Sequence, residues 1–197
     1  FIGKPSAALV SWLVANLGPG ASPQPPARLD GPDPAQAVVR PLSIERFLSK
    51  VEEYVAIYMA AMRYDSRLRA SRIAAWEHDS TLDGFHAFEA VDPRYPDVPL
   101  GVCYGHNADW DSWWHREIAR GVRTRHPVGI DASWLMHNYF EVSEIHVRDE
   151  AQSAGIGRKL LRTLIDSTDR PCVVLSTPEV PHEANRAFSL YRSPEFG

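Results

Sequence analysis

A short glycine-containing segment between a strand-like run and an amphipathic helix constrains this sequence more than any other feature. The segment is Gln-Ser-Ala-Gly-Ile-Gly-Arg at residues 152–158, and it follows the β-prone run 139–147. Gly155 and Gly157 remove the side chains that would keep an anion away from the main chain. The N–H groups that begin the next helix then point at such an anion, and the helix dipole assists. The pattern predicts a phosphate-binding turn.

The residues after this turn complete a β-turn-α-β unit. The apolar positions of the helix form one stripe at helical spacing, which consists of Leu160, Leu161, Leu164 and Ile165. Pro171 precedes the apolar run 172–175, which is typical of a buried parallel strand. Leu160 excludes the Gly-x-Gly-x-x-Gly dinucleotide fingerprint, and the sequence contains no Gly-Lys-Ser/Thr phosphate loop.

The pattern Gln-x-x-Gly-x-Gly at residues 152–157 resembles the (Gln/Arg)-x-x-Gly-x-(Gly/Ala) acyl-CoA signature of the GCN5-related N-acetyltransferase (GNAT) superfamily. The similarity spans residues 139–191 and extends more weakly back to Val38. Ala187 and Tyr191 match the Ala-x-x-x-Tyr of a later helix in that family. The resemblance implies an α/β fold with a mixed sheet and three α/β/α layers. In that fold the fourth and fifth strands splay apart and hold acetyl-CoA.

The resemblance also implies which residues contact acetyl-CoA. Backbone groups of Ile145, His146 and Val147 would bind the thioester and pantetheine, and an N–H there would stabilise the oxyanion. The pyrophosphate would bind to the signature segment, which consists of Gln152, Ser153, Ala154, Gly155, Ile156, Gly157 and Arg158. Gln152 stands where many members have Arg, so it brings a hydrogen bond without a positive charge.

Acetyl transfer to an amine needs a base, because an alkyl amine with a pKa near 10 is mostly protonated at neutral pH. Glu141 lies where the histone-acetylating branch of the family carries its general-base glutamate, and Glu144 competes with it. Strict strand alternation would place the two on opposite faces, but family members often have a bulge in this strand, so the choice stays open. His146 ranks third. Each glutamate is also compatible with a solvated strand carboxylate.

Tyr191 matches the tyrosine that protonates the coenzyme thiolate in many relatives, although it is also compatible with a packing role. Ala184 stands where the family often has Asn. Relatives continue after this tyrosine into two more strands that flank the acceptor site. We expect those strands to be missing from this sequence, which ends at Gly197.

We expect two regions along the chain. Residues 1–37 are an N-terminal extension that contains a Pro-rich linker, with six prolines in residues 19–34, and residues 38–197 are the acetyltransferase domain. Helices are predicted at 44–64, 65–77 and 111–120, and strands at 85–91 and 100–105. The connection 106–138 contains four of the six tryptophans and four of the eight histidines. It is either a lid whose tryptophans are core or a wall of the acceptor pocket.

Composition narrows the partners. A net charge of −4 argues against general nucleic-acid or anionic-membrane binding, and no apolar stretch is long enough to cross a bilayer. Cys103 and Cys172 are expected to be reduced core residues of a cytoplasmic protein. The histidines lack the short spacing of metal ligands, so we expect no metal.

These observations predict an N-acetyltransferase that moves an acetyl group from acetyl-CoA to a primary amine by direct transfer in a ternary complex. The acceptor is expected to be a small molecule or a peptide amine. Two alternatives stay open: a catalytically inactive acyl-CoA-binding regulatory module and a protein-modifying acetyltransferase. An unfinished sheet edge makes a homodimer a possible assembly.

Overall fold

The computed structural model describes residues 31–125, 132–175 and 190–191. All of these except Gly31 belong to a compact unit that spans Pro32–Gly197. Residues 1–30 of the predicted N-terminal extension, together with Ala184 and Ala187, lie outside the described residues. The residues after Tyr191 lie outside them too.

The described residues form one mixed sheet with helices on both faces. Its strands are β1 Val38–Leu42, β2 His86–Val91, β3 Pro99–Asn107, β4 Tyr139–Val147 and β5 Cys172–Leu175. The helices are α1 Ile44–Ser49, α2 Val51–Met62, α3 Arg69–Asp79, α4 Trp113–Arg125, α5 Ala132–His137 and α6 Ile156–Asp166. Neighbouring strands are consecutive in the chain and antiparallel, except that β5 runs parallel to β4. The predicted mixed α/β sheet is confirmed.

Helix α6 covers one face of this sheet with the apolar stripe seen in the sequence. The buried side chains of this helix, each at most 1% exposed, are Ile156, Leu160, Leu161 and Leu164. They pack with Phe88, Cys103 and Phe140 of the strands. Burying each of these leucines contributes roughly 2 kcal/mol, so α6 and the turn before it are firmly held on the sheet.

Helices α1 to α3 cover the opposite face through an aromatic core. Phe47, Tyr54, Trp76 and Tyr104 are buried there, and the rings of Trp76 and Tyr104 meet edge to face with centroids 5.0 Å apart. The carboxylate of Glu89 on β2 is also buried and accepts hydrogen bonds from the Tyr54 hydroxyl (2.9 Å) and the Arg40 guanidinium (2.7 Å). These contacts fix α2 over the centre of the sheet, one turn before Tyr58 reaches β4.

The helical region 44–64 differs from the single helix that its pattern predicts. Lys50 adopts φ −121° and ψ 7°, which separates α1 from α2. Its Nζ donates to the carbonyl of Asp97 at 2.6 Å, so a tertiary contact holds the break. The next helix begins later than predicted, because Asp65 first caps the 3₁₀ turn Ser66–Leu68.

Candidate active site

The predicted phosphate-binding turn lies between β4 and α6. Ser153 and Gly155 adopt positive φ values of 66° and 79°, and Gly155 is the N-cap of α6 without a side-chain capping bond. The first intrahelical donor is the Lys159 N–H, which bonds the Gly155 carbonyl at 3.1 Å. The N–H groups of the first turn of α6 therefore have no intrahelical acceptor. A Cβ built on Gly155 would have nothing within 4 Å, so this turn is an open cradle that fits an anionic group.

The side-chain amide of Gln152 holds the turn in place through two hydrogen bonds. Its Nε2 donates to the Val147 carbonyl at 3.3 Å and to Asp149 Oδ1 at 2.9 Å. The amide therefore joins the end of β4 to the 3₁₀ turn Asp149–Ala151 that leads into the glycine segment. In this arrangement Gln152 orients the turn, whereas the sequence had suggested a hydrogen bond to the ligand.

A β-bulge in β4 changes which side chains share a face. Tyr104 pairs with Glu144, but the next residue of β3, Gly105, pairs with Val142, so Ser143 is an extra residue. Val142 lies in the core beneath α6, which places its neighbour Glu141 on the opposite face. Glu144 pairs with Tyr104 of the aromatic core, so it lies on that same face. Strict alternation fails here, and both candidate bases face α2 and α3.

The pairing of β4 with β5 covers only the first part of β4. It runs from Tyr139↔Cys172 to Val142↔Leu175, just before the bulge. In the part of the chain that the structure describes, Ile145, His146 and Val147 pair with β3 alone. Among the described residues, one side of their backbone has no strand partner on the β5 side, where the predicted splay would hold the thioester.

Glu141 has an unusual environment for a carboxylate. Its Oε2 is buried and has no hydrogen-bond partner in the described parts of the chain. Burial, with the negative charges of Asp79 and Asp109, raises the pKa of Glu141 to about 7. A carboxyl group with this pKa changes protonation state near neutral pH, which suits a general base.

Glu144 is held by a neighbour on the same strand. His146 Nε2 donates to Glu144 Oε2 at 2.6 Å, and the imidazole is flanked by Tyr58 (4.8 Å between ring centroids) and Trp76 (6.4 Å). This bond makes Glu144 less available than Glu141 as a base. It also uses one nitrogen of His146, the third-ranked base.

Tyr191 lies near this pair. Its ring packs against the core beneath α6. Burial and the nearby Glu144 charge raise the pKa of Tyr191 to about 12, so the phenol keeps its proton at neutral pH.

Two further polar side chains on this face were not identified from the sequence. Asp79, at the end of α3, accepts a hydrogen bond from the Tyr104 hydroxyl at 2.8 Å. His106 is 5% exposed, pairs across the strands with Glu141, and donates from Nδ1 to the Asn107 carbonyl at 2.7 Å. Neither residue belongs to a sequence motif. Sheet pairing brings His106 close to Glu141, and helix packing brings Asp79 close to it.

The described parts of the connection between β3 and β4 carry exposed aromatic residues. Trp110 is 58% exposed and Trp134 is 46% exposed, so these two tryptophans are not core. The connection is attached to the sheet by His115, whose Nδ1 lies 3.0 Å from the Tyr139 hydroxyl. The predicted lid therefore has an outward-facing aromatic surface.

The described residues contain no cluster of three or more His, Cys, Asp or Glu side chains arranged to hold a metal ion. None of the helices within them has the length and apolar character required to cross a membrane.

Comparison with known proteins identifies the family. No protein-family model matches the chain. The chain is 30% identical over 171 residues to the GCN5-like protein acetyltransferase Rv2170 of Mycobacterium tuberculosis, an alignment covering 77% of this chain and 82% of that protein.

Solved structures share the fold. The aminoglycoside N-acetyltransferase AAC(6')-Iy in complex with CoA superposes with a TM-score of 0.52 at 12% identity, covering 87% of this chain and 88% of that chain. The aminoglycoside acetyltransferase HMB0005, from an uncultured soil metagenomic sample, gives a TM-score of 0.53 at 14% identity, covering 79% and 88%. The signature turn, the sheet and the 30% identical relative together show that this chain belongs to the GCN5-related N-acetyltransferase superfamily and is an acyltransferase that uses acetyl-CoA.

Proposed function

We propose that this enzyme transfers the acetyl group of acetyl-CoA directly to the side-chain amine of a lysine in a protein. The 30% identical relative is named as a protein acetyltransferase, which favours the protein-modifying alternative over a free small-molecule amine. The likeness to aminoglycoside acetyltransferases is at 12–14% identity and bears on the fold alone.

The state of Glu141 is the observation that carries the proposed mechanism. Its Oε2 has no donor among the described residues, and its pKa of about 7 leaves a substantial fraction of the group deprotonated and able to accept a proton at the pH of a cell. Glu144, by contrast, is bound to His146. We therefore assign the base role to Glu141 and a positioning role to Glu144.

The acetyl donor supplies a thioester whose carbonyl carbon is attacked by the amine nitrogen, with release of a thiolate. Glu141 takes a proton from the amine, which restores the lone pair needed for attack. Backbone N–H groups at Ile145 to Val147, in the segment of β4 beyond the described β5 pairing, would bind the carbonyl oxygen as it gains charge. Each of these roles belongs to β4, so one strand aligns the reacting groups.

Tyr191 is proposed to stabilise the departing thiolate. An ordinary thiol has a pKa near 8.5, so full transfer of a proton from a phenol at about 12 costs roughly 5 kcal/mol. Tyr191 therefore acts first as a hydrogen-bond donor to the thiolate. The nitrogen of the tetrahedral intermediate still carries one proton more than the amide product, and transfer of that proton to the departing thiolate balances the reaction.

The charges of this face suit a cationic acceptor. Asp79, Glu141 and Glu144 lie on it, and mutual repulsion contributes to the raised pKa values of Asp79 and Glu141. The positive charge of a lysine ammonium would relieve the repulsion among these carboxylates. The same carboxylates would repel an acidic acceptor.

The test is an acceptor panel. Purified enzyme and acetyl-CoA are mixed with lysine-containing peptides, denatured bacterial protein, free small amines and an aminoglycoside, and released thiol and acetylated products are measured. We expect acetyl-lysine in peptides or protein, with the rate greatly reduced in Glu141→Gln. Turnover of the free small amines alone would contradict the protein-acceptor assignment, and an unchanged rate in Glu141→Gln would contradict the base assignment.

A further inference from the structure

A cleft lies at the edge of the sheet where β3 ends and β4 begins. Its volume is about 220 Å³, and its lining residues are Leu82, Asp83, Asn107, Ala108, Asp109 and Trp110. We call it the Trp110 cleft. Asn107 pairs with Phe140, the residue before Glu141, and the charge of Asp109 raises the pKa of Glu141. One carboxylate of the Trp110 cleft, Asp109, is thus within electrostatic reach of the proposed base.

The floor of the Trp110 cleft is rigid because the Asn107 side chain is fully engaged. Its Nδ2 donates to Asp83 Oδ2 at 2.8 Å, and its Oδ1 accepts from Arg170 Nε at 3.0 Å. Gly84 lies against this amide with φ +66°, and a Cβ there would be 2.3 Å from Asn107 Nδ2. The glycine is therefore required for this arrangement.

The walls of the Trp110 cleft combine an aromatic ring with negative charge. Trp110 is 58% exposed, and its ring packs edge to face with the His137 ring, with centroids 4.7 Å apart. Asp83 and Asp109 contribute carboxylates, and no lining residue is a cation. An exposed indole beside carboxylates is the arrangement that binds an ammonium or guanidinium group by cation–π and ionic attraction together.

The size of the Trp110 cleft favours a single side chain. Pockets that enclose small-molecule ligands usually measure roughly 300–1,000 Å³, whereas this cleft is about 220 Å³. One lysine or arginine side chain suits it better than a complete multi-ring amine.

We propose that the Trp110 cleft binds a basic side chain, lysine or arginine, that neighbours the acetylated lysine in the acceptor protein. This inference rests on the proposed function and names a sequence preference for it. While the target lysine lies at Glu141, the neighbouring basic residue would lie between Trp110 and Asp109.

The experiment uses peptides with one lysine and either arginine or alanine at each position up to three residues away. The preference is the ratio of kcat/KM for the arginine peptide to that for the alanine peptide. We expect the wild-type enzyme to prefer arginine at one or two positions by about tenfold, and Trp110→Ala or Asp109→Asn to reduce that ratio about three- to tenfold. Acetyl-CoA KM should stay unchanged. Trp134→Ala, which removes an exposed tryptophan that does not line the cleft, should preserve the ratio.

Binding separates this inference from the proposed function. The arginine peptide is made with norleucine in place of its lysine, so that it cannot react, and its affinity is measured by calorimetry. Affinity that falls in Trp110→Ala supports the Trp110 cleft even if no peptide is acetylated, which would contradict only the protein-acceptor assignment. Acetylation of peptides without an arginine preference, or a preference that survives both substitutions, overturns the role of the cleft.

Discussion

Glu141 illustrates how a single residue acquires reactivity from its surroundings. An exposed glutamate has a pKa near 4.3 and is a weak base at neutral pH. Burial of its side chain and the charges of Asp79 and Asp109 raise that pKa to about 7. The carboxylate form is then still well populated at neutral pH, and it binds a proton more strongly.

Glu141→Gln tests this role. In the wild-type enzyme, kcat/KM should rise with pH through about 7, because only the deprotonated carboxyl can accept a proton. In the variant this rise should disappear, the rate at pH 7.5 should fall by roughly 100- to 1,000-fold, and the residual rate should follow the free amine to higher pH. Steady-state kinetics between pH 5.5 and 9.5 checks the prediction.

Stability measurements provide the control for this variant. The folded-state pKa of Glu141 is above the unfolded value, so its protonation favours the folded state below about pH 4.5, and this contribution is lost as the pH rises through about 7. Removing the charge should therefore stabilise the protein at pH 8 by up to about 3 kcal/mol, and less at pH 5. A variant that is less stable at pH 8 would contradict the proposed environment.

Tyr191→Phe tests the thiolate-stabilising role. Loss of one hydrogen bond to a charged group costs about 1.5–3 kcal/mol, which predicts a roughly 10- to 150-fold lower kcat. Acetyl-CoA affinity should change little, because the ring still packs against the core beneath α6. Single-turnover kinetics with a calorimetric affinity measurement distinguishes the two effects. A kcat within twofold of wild type would indicate that Tyr191 only packs.

At the scale of elements, the site depends on close contact between β3 and β4. A Cβ at Gly105 would lie 2.3 Å from the Glu141 carbonyl and 2.5 Å from the Phe140 ring. Gly105 faces the bulge that turns Glu141 and Glu144 to one side of the sheet. The absence of a side chain at this position therefore helps to set the geometry of the candidate base.

Gly105→Ala should therefore destabilise the protein by about 3 kcal/mol, since backbone and ring must both move. Gly121→Ala is the matched control, because this exposed position in α4 has nothing within 4 Å of an added Cβ. It should stabilise the protein by about 0.5–1 kcal/mol through higher helix propensity. Urea denaturation of both variants is the measurement, and equal effects would contradict the close contact.

The turn before α6 gives a second prediction at this scale. In Gly155→Glu, a negative side chain enters the open cradle and the φ of +79° becomes strained. Acetyl-CoA Kd should rise at least about 100-fold, from repulsion and lost backbone contacts. Gly157→Ala should stay within about threefold, because its Cβ would make ordinary 3.9 Å contacts with Val147 and Leu190. Calorimetric titration measures the acetyl-CoA affinity of both variants. Similar affinities would contradict an anion-binding site at this turn.

At the scale of the whole molecule, distant segments of the chain come close to Glu141 and Glu144 of β4. Asp79 at the end of α3 and Asp109 in the connection after β3 act on Glu141 through their charges, whereas Tyr191, from beyond β5, packs beneath α6 and is influenced by the charge of Glu144. The aromatic core that includes Trp76 and Tyr104 holds α3 over the strands. Through that packing, a charge on a helix influences the proton affinity of a strand residue.

Asp79→Asn should move the pH dependence of the enzyme. The charge of Asp79 raises the pKa of Glu141, so its removal should lower that pKa and shift the rise of kcat/KM to a pH below 7. The asparagine can still accept the Tyr104 hydroxyl hydrogen bond seen at 2.8 Å, which keeps the fold. The pH profile is the readout, with Asp166→Asn, at an exposed position in α6, as a control of equal charge change. A shift to higher pH would contradict the coupling.

Much of this arrangement was predictable from local sequence. The glycines of the turn, the apolar stripe of α6 and the β-prone run of β4 are local signals, because strand and helix periodicity and glycine conformation depend on near neighbours. The break at Lys50 was not predictable, since a contact with the distant Asp97 holds it. Nor were the positions of Asp79 and His106 near Glu141, because neither residue belongs to a sequence motif.

By itself, the sequence determined the family, the acetyl-CoA signature and the pair of glutamates from which a base could come. Only the tertiary structure distinguishes the surroundings of those glutamates, and on that basis we propose Glu141 as the base. The extra residue at Ser143 turns both to one face, His146 binds Glu144, and burial with distant carboxylates raises the pKa of Glu141. The physical reason is that proton affinity depends on solvent exclusion and on charges that are close in space, and residues far apart in the chain supply both.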